Sequence, residues 1–330
     1  VCVILQGYIL NRPQPMNAEQ DWYLKRNRQE HNRYYEQLTF ADSQTLHDAT
    51  RERAEILEYL SDKVAWGYKD TKADVTHLSP GCKHCGDGEW SCLFINNVCN
   101  AGCFYCPAPQ DQEDHPTTQT VPFPDVEDYI LYLKKFGYKG ISISGGEPFL
   151  NFDKSLHFIA RIRQELGAEV YLWLYTNGIL ADEQKLRALK QAGLNEIRFD
   201  IGATGYKTDK VEMALKIMDV VTVEIPAVPE EQERLKGLLH HFEKIGLNHL
   251  NLHQIRCTPH NYSRLLKPGY TFLHGPQVTV LESELTALRL MRYAREQDIR
   301  VPINYCSSIY KYRYQRRAAR KRYAPFIANA

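Results

Sequence analysis

The fold of this 330-residue chain is constrained most by an alternation of apolar runs and amphipathic segments between residues 92 and 254. Six short apolar runs predict strands, and segments with helical spacing separate them. Strands joined in this way pair in parallel through right-handed crossovers. We therefore predict an α/β fold, an open partial (β/α)6 barrel. The predicted strands are Cys92–Ile95, Gly140–Ser144, Glu169–Tyr175, Glu196–Ile201, Val220–Ile225 and Leu247–Gln254.

Two extensions flank the predicted barrel, which occupies residues 90–255. Residues 1–75 predict a helical N-terminal extension, and residues 76–98 a cysteine-rich loop followed by the first strand. Residues 256–330 predict a C-terminal extension with a further helix, a further strand and a basic tail. The apolar stretch Val1–Leu10 lacks a basic segment and a small-residue cleavage pattern. We expect a starting strand or a trimmed terminus there, and no signal peptide.

Composition excludes several classes of protein. The formal net charge is +1, so no global field attracts the chain to nucleic acid or a membrane surface. No apolar run reaches the 18 residues that a membrane span requires. Six of the nine cysteines fall between Cys82 and Cys106, a clustering that favours metal binding over a disulfide framework. We therefore expect a reducing, cytoplasmic and oxygen-poor environment.

Cys99, Cys103 and Cys106 form a C-x3-C-x2-C run. Three thiolates this close can bind one face of a cubane 4Fe–4S cluster and leave its fourth iron without a protein ligand. Structural zinc and ferredoxin-type clusters normally require four ligands. The run therefore predicts a cluster with one iron open to an exchangeable ligand; a zinc knuckle or three unrelated thiols is the alternative.

This run, with Tyr105 before its last cysteine, resembles the radical S-adenosylmethionine (SAM) superfamily. Gly145-Gly-Glu-Pro148 after the second strand resembles the GGE element of that superfamily. The resemblance implies that the open iron binds the amino and carboxylate groups of SAM, that the glycine turn accepts its amino group, and that an electron from the cluster splits SAM into methionine and a 5′-deoxyadenosyl radical. The cysteine-rich region and the segment after Asn304 are similar to a group related to pyruvate-formate-lyase activating enzymes, with an extra N-terminal cysteine cluster.

The loops after the strands of a parallel barrel meet at one mouth, which is where active sites lie. The resemblance adds Tyr105, Asn177, Asp200 and Glu224 as candidate SAM contacts there. The alternative role for Asp200 is an ion pair with Arg198. His253 is a candidate SAM contact or proton carrier, or else a barrel histidine with satisfied hydrogen bonds. Cys257 is a candidate hydrogen-atom donor or cluster ligand at the mouth, or else an inert buried thiol. The candidate cofactor-binding residues are Tyr105, Gly145, Gly146, Glu147, Pro148, Asn177, Asp200, Glu224 and His253.

A second metal site is predicted from Cys82, Cys85 and Cys92. Cys82 and Cys85 form a C-x2-C pair of the kind that binds zinc, mononuclear iron or an iron–sulfur cluster, and we expect it on a chelating hairpin. Cys306 is the first candidate for the fourth ligand, followed by His84 and Cys257. The alternative is a reduced hairpin that only packs.

The tail between Lys311 and Arg322 carries seven positive charges interleaved with tyrosines, and no acidic residue. Such a pattern can bind RNA or form a solvated face. The resemblance implies an enzyme that abstracts hydrogen from a peptide, protein or small molecule, with flavodoxin or ferredoxin as electron donor. A radical SAM methylase acting on RNA or protein, and an RNA-binding module with structural cysteines, are the alternatives.

Overall fold

The computed structural model describes residues 18–112 and 115–317, together with Arg320 and Ala324. The expectation for Val1–Leu10 and most of the basic tail after Arg317 lie outside these residues. The helices are α1 Ala18–His31, α2 Ser43–Leu60, α3 Pro80–Asp87, α4 Val126–Phe136, α5 Phe152–Leu166, α6 Glu183–Gln191, α7 Asp209–Leu215, α8 Gln232–Ile245, α9 Tyr262–Leu265, α10 Leu281–Glu296 and α11 Ser308–Tyr310.

The strands contain all six that were predicted, with small shifts of their ends. They are β1 Trp90–Phe94, β2 Asn97–Val98, β3 Asp111–Gln112, β4 Thr117–Thr118, β5 Val121–Pro122, β6 Gly140–Ser144, β7 Tyr171–Thr176, β8 Glu196–Phe199, β9 Val220–Pro226, β10 His249–His253, β11 Phe272–Leu273, β12 Thr279–Val280 and β13 Ile303–Cys306.

Nine strands form the main sheet, in the order β13-β10-β9-β8-β7-β6-β1-β4-β5. The seven from β13 to β1 are parallel, and β4 and β5 extend the sheet antiparallel at the β1 edge. The sheet is therefore open, as the predicted partial barrel requires. The further strand predicted in the C-terminal extension is β13, which joins the sheet as a seventh parallel strand by pairing with β10 and brings Cys306 opposite His253.

Side chains alternate between the two faces of the sheet with the two-residue period of a strand. Leu93, Ile141, Leu174, Ile197 and Val223 belong to the main apolar core, which also contains the buried faces of α4, α5, α6 and α8. The intervening positions hold Cys92, Ser142, Arg198, Glu224 and Asn251. The concave face of the half-barrel is therefore polar, and it is the face on which chemistry can be placed.

Helix α3 packs against this concave face, near the amino ends of the strands. Its residue Gly81 lies so close to the Arg198 guanidinium that a Cβ would overlap it, and a Cβ on Gly140 of β6 would lie 2.6 Å from the Cβ of His84. Ser79 caps the helix by accepting a hydrogen bond from the Cys82 N–H, Pro80 occupies its first turn, and Gly88 ends it at φ 71°. The prediction of a loop with a chelating hairpin at Cys82 and Cys85 was therefore wrong.

The N-terminal extension is helical, as predicted, and Asp42 caps α2 through the Thr45 N–H. Helix α2 packs along α10, where Arg53 forms a largely buried ion pair with Glu284. Within the described part of the chain, we find no helix with the length and apolarity needed to cross a membrane.

Candidate active site

A cavity of about 580 Å³ opens at the carboxyl ends of the strands. It brings together the loop after β1, the turn after β6 and the ends of β7 to β10, as the parallel topology predicts. Of the predicted site residues, the cavity is lined by Cys92, Cys99, Cys103, Tyr105, Cys106, Gly145, Gly146, Asn177, Asp200, Glu224 and His253. Glu147, Pro148 and Cys257 are not among its lining residues.

The three cysteines of the C-x3-C-x2-C run lie on a loop that is held at both ends. The short strands β2 and β3 close its base. Three side chains that sequence analysis did not identify bind its backbone carbonyls: Thr258 donates to Pro107 O at 2.8 Å, Asn261 to Tyr105 O at 3.0 Å, and Arg264 to Cys103 O at 3.3 Å. These three side chains belong to no sequence motif, because they hydrogen-bond to backbone carbonyls of the loop and not to particular side chains.

The donor set of this loop fits an iron–sulfur cluster. The Ala101 N–H and the Asn177 side-chain amide approach the Cys99 sulfur at 3.4 and 3.7 Å, and donors of this kind stabilise cluster thiolates. In the described part of the chain, no group of three His, Cys, Asp or Glu side chains is gathered around one metal ion. A cubane does not require such convergence, because each cysteine binds a different iron.

The turn Gly145–Gly146 requires glycine for steric reasons. Gly145 has φ 132°, which disfavours a side chain, and a Cβ would overlap the Asn96 carbonyl. A Cβ on Gly146 would overlap the Val98 carbonyl, because the turn is hydrogen-bonded to the segment that leads into the cluster loop. The two backbones therefore form one wall of the cavity beside the cysteines.

Glu147 stabilises this turn from behind the wall. Its side chain is 1% exposed and accepts hydrogen bonds from the Phe149 N–H at 2.9 Å, the Thr176 hydroxyl at 2.8 Å and the Asn177 N–H at 2.7 Å. Burial raises the pKa of Glu147, whereas these three donors lower it. The carboxylate therefore ties the turn to the end of β7 and fixes Asn177, whose side chain does reach the cavity.

Tyr105 and Asp200 are joined across the cavity. The Tyr105 hydroxyl donates to the two carboxylate oxygens of Asp200 at 2.9 and 3.1 Å, and the Gly202 N–H donates to one of them. Burial raises the pKa of Asp200 to about 6. The predicted alternative of an ion pair between Arg198 and Asp200 is wrong, since Arg198 pairs with Glu196 and Glu224 instead.

A chain of polar contacts crosses the floor of the cavity. Glu224 contacts Arg198 at 2.7 Å and His253 at 2.6 Å, and the Lys311 ammonium lies 2.7 Å from the other ring nitrogen of His253. Burial opposes ionisation of Glu224, but Arg198 and His253 hold its pKa well below the usual range. Burial and Lys311 lower the pKa of His253. We therefore assign a neutral imidazole that donates to Glu224 and accepts from Lys311.

The basic tail begins as part of this site. Lys311 is half-buried, and Lys311, Tyr312, Gln315 and Arg316 line the cavity. The expectation of a solvated face is therefore wrong for this first turn, and RNA binding by the tail stays a prediction. The sequence of the tail gave no indication that its first residues fold back over the strand ends.

The predicted second group of cysteines is divided by the structure. Cys92 lines the cavity near Ser142 and Ser144. Cys82, Cys85 and Cys306 lie near one another outside the cavity, below its floor. Cys257 is fully buried in an apolar cluster with Leu38 and Val278. Cys257 therefore does not lie at the mouth of the barrel. Cys92 lies apart from Cys82, Cys85 and Cys306, the other three predicted ligands.

Comparison with known proteins gives a consistent result. Residues 93–242 match the Radical SAM superfamily. A Methanocaldococcus jannaschii protein named as a putative glycyl-radical enzyme activating enzyme is 29% identical over 246 residues, 71% of this chain and 64% of that protein. The chain thus spans less than two thirds of this relative. The GTP 3′,8-cyclase of Corynebacterium glutamicum ATCC 13032 is 33% identical over 112 residues, 33% of this chain and 29% of that enzyme.

Solved structures that align with the chain include methylornithine synthase (PylB), at 12% identity and a TM-score of 0.44 over 88% of this chain and 86% of that chain. Streptococcus suis SuiB bound to SAM aligns at 11% identity and a TM-score of 0.46 over 82% and 54% of the two chains. The matched segment runs from β1 through α8 and contains the cysteine run, the glycine turn and Asp200. Residues 93–242 therefore form a domain of the radical SAM superfamily, whose cofactors are a 4Fe–4S cluster and SAM.

Proposed function

We propose that the chain cleaves SAM reductively and abstracts a hydrogen atom from a substrate that carries an anionic group. The observation that carries the proposal is the single cavity in which the cysteine run and the glycine turn face a cationic wall. Cys99, Cys103 and Cys106 would hold the cluster, and Gly145 and Gly146 would bind the amino group of SAM. The cluster and SAM together supply an electron and the 5′-deoxyadenosyl radical, with flavodoxin or ferredoxin as the external reductant.

The residues around these groups position the cofactors. Tyr105 and Asp200 are locked to each other and place two polar oxygens beside the cluster loop. Asn177 is fixed by its bonds to Asn100 and Glu147, so its amide is held close to Cys99. Glu224 and His253 form a prearranged acceptor and donor pair on the cavity floor. Such prearranged groups bind a ligand with little reorganisation.

The wall opposite the cysteines favours an anion. Arg256 and Arg316 both reach the Gln277 side-chain oxygen, at 3.1 and 3.2 Å when that amide is turned to face them. Arg256 also pairs with Glu30, whereas Arg316 and Lys311 have no carboxylate partner within the described chain. Cations that line a cavity without carboxylate partners are suited to a carboxylate or phosphate group. A small molecule and an acidic segment of a protein both satisfy this requirement.

The proposal is tested with anaerobically reconstituted enzyme, SAM and a strong reductant. Lysate fractions separated by anion exchange are added, and release of 5′-deoxyadenosine is measured. We expect the stimulating fraction to be retained by the exchanger. We also expect Arg316→Ala to reduce the stimulation at limiting substrate by about 10- to 150-fold, since a charge-assisted contact contributes about 1.5–3 kcal/mol. The matched control is Arg317→Ala, one position along and exposed.

The outcomes separate the two parts of the proposal. No 5′-deoxyadenosine under any condition would contradict SAM cleavage itself. Stimulation only by unretained fractions, or equal effects of Arg316→Ala and Arg317→Ala, would contradict the anionic substrate and leave SAM cleavage intact.

A further inference from the structure

Three cysteines form a second group below the cavity floor, separate from the C-x3-C-x2-C run. Cys82 and Cys85 lie one turn apart on α3, and Cys306 is the last residue of β13. The Asn304 side-chain amide lies 3.6 Å from both the Cys82 and the Cys306 sulfurs, so one amide bridges helix and strand. None of the described cysteines is in a disulfide.

The surroundings of these sulfurs suit thiolates. Cys82 is approached by the Asn251 amide at 3.4 Å, the Asn304 amide at 3.6 Å and the Arg198 guanidinium at 3.7 Å. The Lys72 ammonium lies 3.2 Å from the Cys306 sulfur. Nitrogen donors directed at sulfur are characteristic of metal-bound thiolates, whose negative charge they stabilise.

The basic side chains around the three sulfurs also favour a bound metal. Lys72 is 1% exposed, and its side-chain nitrogen lies 3.2 Å from the Cys306 sulfur and 3.7 Å from the centroid of the Tyr310 ring. Arg198 is paired with Glu196 and Glu224 and also contacts the Cys82 sulfur. Two basic side chains are therefore placed against these sulfurs, which suits the negative charge of metal-bound thiolates.

Two polar atoms beside the thiols are unsatisfied. The Asn304 side-chain oxygen and the Tyr310 hydroxyl are buried, and neither has a hydrogen-bond partner among the described residues. Buried polar groups in native proteins almost always have a partner. Tyr310 packs over α3, where a Cβ on Gly86 would lie 2.6 Å from its hydroxyl. The Asn304 nitrogen of the same amide approaches the Cys82 and Cys306 sulfurs, and Tyr310 lies against the helix that carries Cys82 and Cys85.

We propose that Cys82, Cys85 and Cys306 bind a second, thiolate-ligated metal centre, distinct from the SAM cluster. The ligand class is a soft metal centre held by three cysteines, with one position not occupied by cysteine. In the described chain the three thiols do not converge on the position of a single ion, so an iron–sulfur cluster, whose cysteines bind different irons, fits them better than one zinc ion. When the metal binds, each thiol that is still protonated releases its proton and forms a bond to the metal, and the three sulfurs move closer together. Arg198 contacts both this centre and Glu224, and thereby links it to the cavity floor.

Cys257 provides a contrast within the same chain. It is fully buried, whereas Cys85 and Cys306 are half-buried, and it lies in an apolar cluster with Ile255 and Val278, where no side-chain donor contacts its sulfur among the residues described. It is therefore the matched control for removal of a buried thiol.

The experiment uses the full chain with Cys99, Cys103 and Cys106 replaced by alanine, which removes the SAM cluster. The protein is loaded anaerobically with ferrous iron plus sulfide, or with zinc, then desalted, and metal and sulfide per chain are measured together with the visible sulfur-to-iron absorption. We expect retention of one zinc ion or one iron–sulfur cluster. Addition of Cys306→Ala should remove that metal, and addition of Cys257→Ala should not. Which loading is retained identifies the metal.

A folded triple-alanine protein that remains metal-free after both loadings would overturn the proposal, as would equal metal retention with Cys306→Ala and Cys257→Ala. A Cys82–Cys306 or Cys85–Cys306 disulfide, found by mass spectrometry in anaerobically prepared protein, would also overturn it. If the triple variant does not fold, the wild-type chain is compared with Cys306→Ala alone. The total metal content should then fall by one centre while the absorbance change on adding SAM is preserved. Loss of no metal would refute the second centre.

Discussion

Replacement of Glu147 by glutamine should destabilise the protein, although the change removes only one charge. The carboxylate accepts three internal hydrogen bonds, two at one oxygen from the Phe149 N–H and the Thr176 hydroxyl, and one at the other oxygen from the Asn177 N–H. A glutamine has one acceptor oxygen, so its NH2 group must face either the Asn177 N–H or the Phe149 N–H. At least one buried backbone donor is then unsatisfied.

The magnitude follows from these contacts. An unsatisfied buried donor costs about 1–3 kcal/mol, and each remaining bond loses roughly 1 kcal/mol when its acceptor becomes neutral. Relief of the buried charge offsets part of this cost, because burial raises the pKa of Glu147. We expect the free energy of unfolding to fall by about 2–4 kcal/mol.

The assay is urea unfolding of the wild type and of Glu147→Gln, followed by circular dichroism, with both proteins prepared in the same way. The control is Glu183→Gln, which removes an exposed ion pair with Arg187 and should change stability by less than about 0.5 kcal/mol. Since Glu147 also fixes Asn177, SAM should bind the Glu147→Gln holoenzyme more weakly than it binds the control. A loss of stability no larger than that of Glu183→Gln would refute the clamp assigned to this carboxylate.

Three further predictions follow from the site. Gly146→Ala places a Cβ against the Val98 carbonyl, so cluster absorbance should persist while SAM affinity falls at least tenfold; unchanged affinity would contradict the wall assigned to this turn. Asn261→Ala removes donors to the Tyr105 and Arg256 carbonyls, so it should lower the free energy of unfolding by about 2–3 kcal/mol and speed the loss of iron to a chelator. Unchanged iron release would exclude a role for Asn261 in holding the cluster loop. Because the folded-state pKa of Glu224 lies below its unfolded value of about 4.3, its ionised form stabilises the protein above that pH and loses this effect as the pH falls. The stability difference between wild type and Glu224→Gln should therefore be constant from about pH 7 to 5 and shrink below that range, and a difference that grows in acid would contradict the assignment.

The parallel sheet could be predicted because each strand carries its own evidence. In Gly140–Ser144 and Val220–Pro226, for example, apolar residues for the helical side alternate with small or polar residues for the concave side. In the structure the same period puts Glu224, Asn251 and His253 together on the concave side, where they hydrogen-bond to one another. A further strand was predicted in the C-terminal extension, but its partner in the sheet could not be inferred, because pairing between distant strands leaves no local pattern.

Helix α3 was mistaken for a loop because its glycines and proline were interpreted as turn residues. Ser79 and Pro80 are in fact an N-cap and a first-turn proline, and Gly81 and Gly86 are small because Arg198, Tyr68 and Tyr310 lie against them. The helix signature was present in the sequence, but close packing by a distant part of the chain was not. For the same reason Cys92 could not be separated from Cys82 and Cys85, which are nearby in sequence and belong to a different layer.

The position of α3 also determines how the site can be reached. The helix covers the inner face near Gly140 and Glu196, at the amino ends of the strands, and the first residues of the tail pack against the helix and line the cavity. Helix and tail thus form one continuous cover, and Lys311 and Arg316 lie where that cover meets the cavity. We expect a substrate bound at these two residues to slow the loss of cluster absorbance in air, so that the lifetime of the cluster in air measures substrate binding.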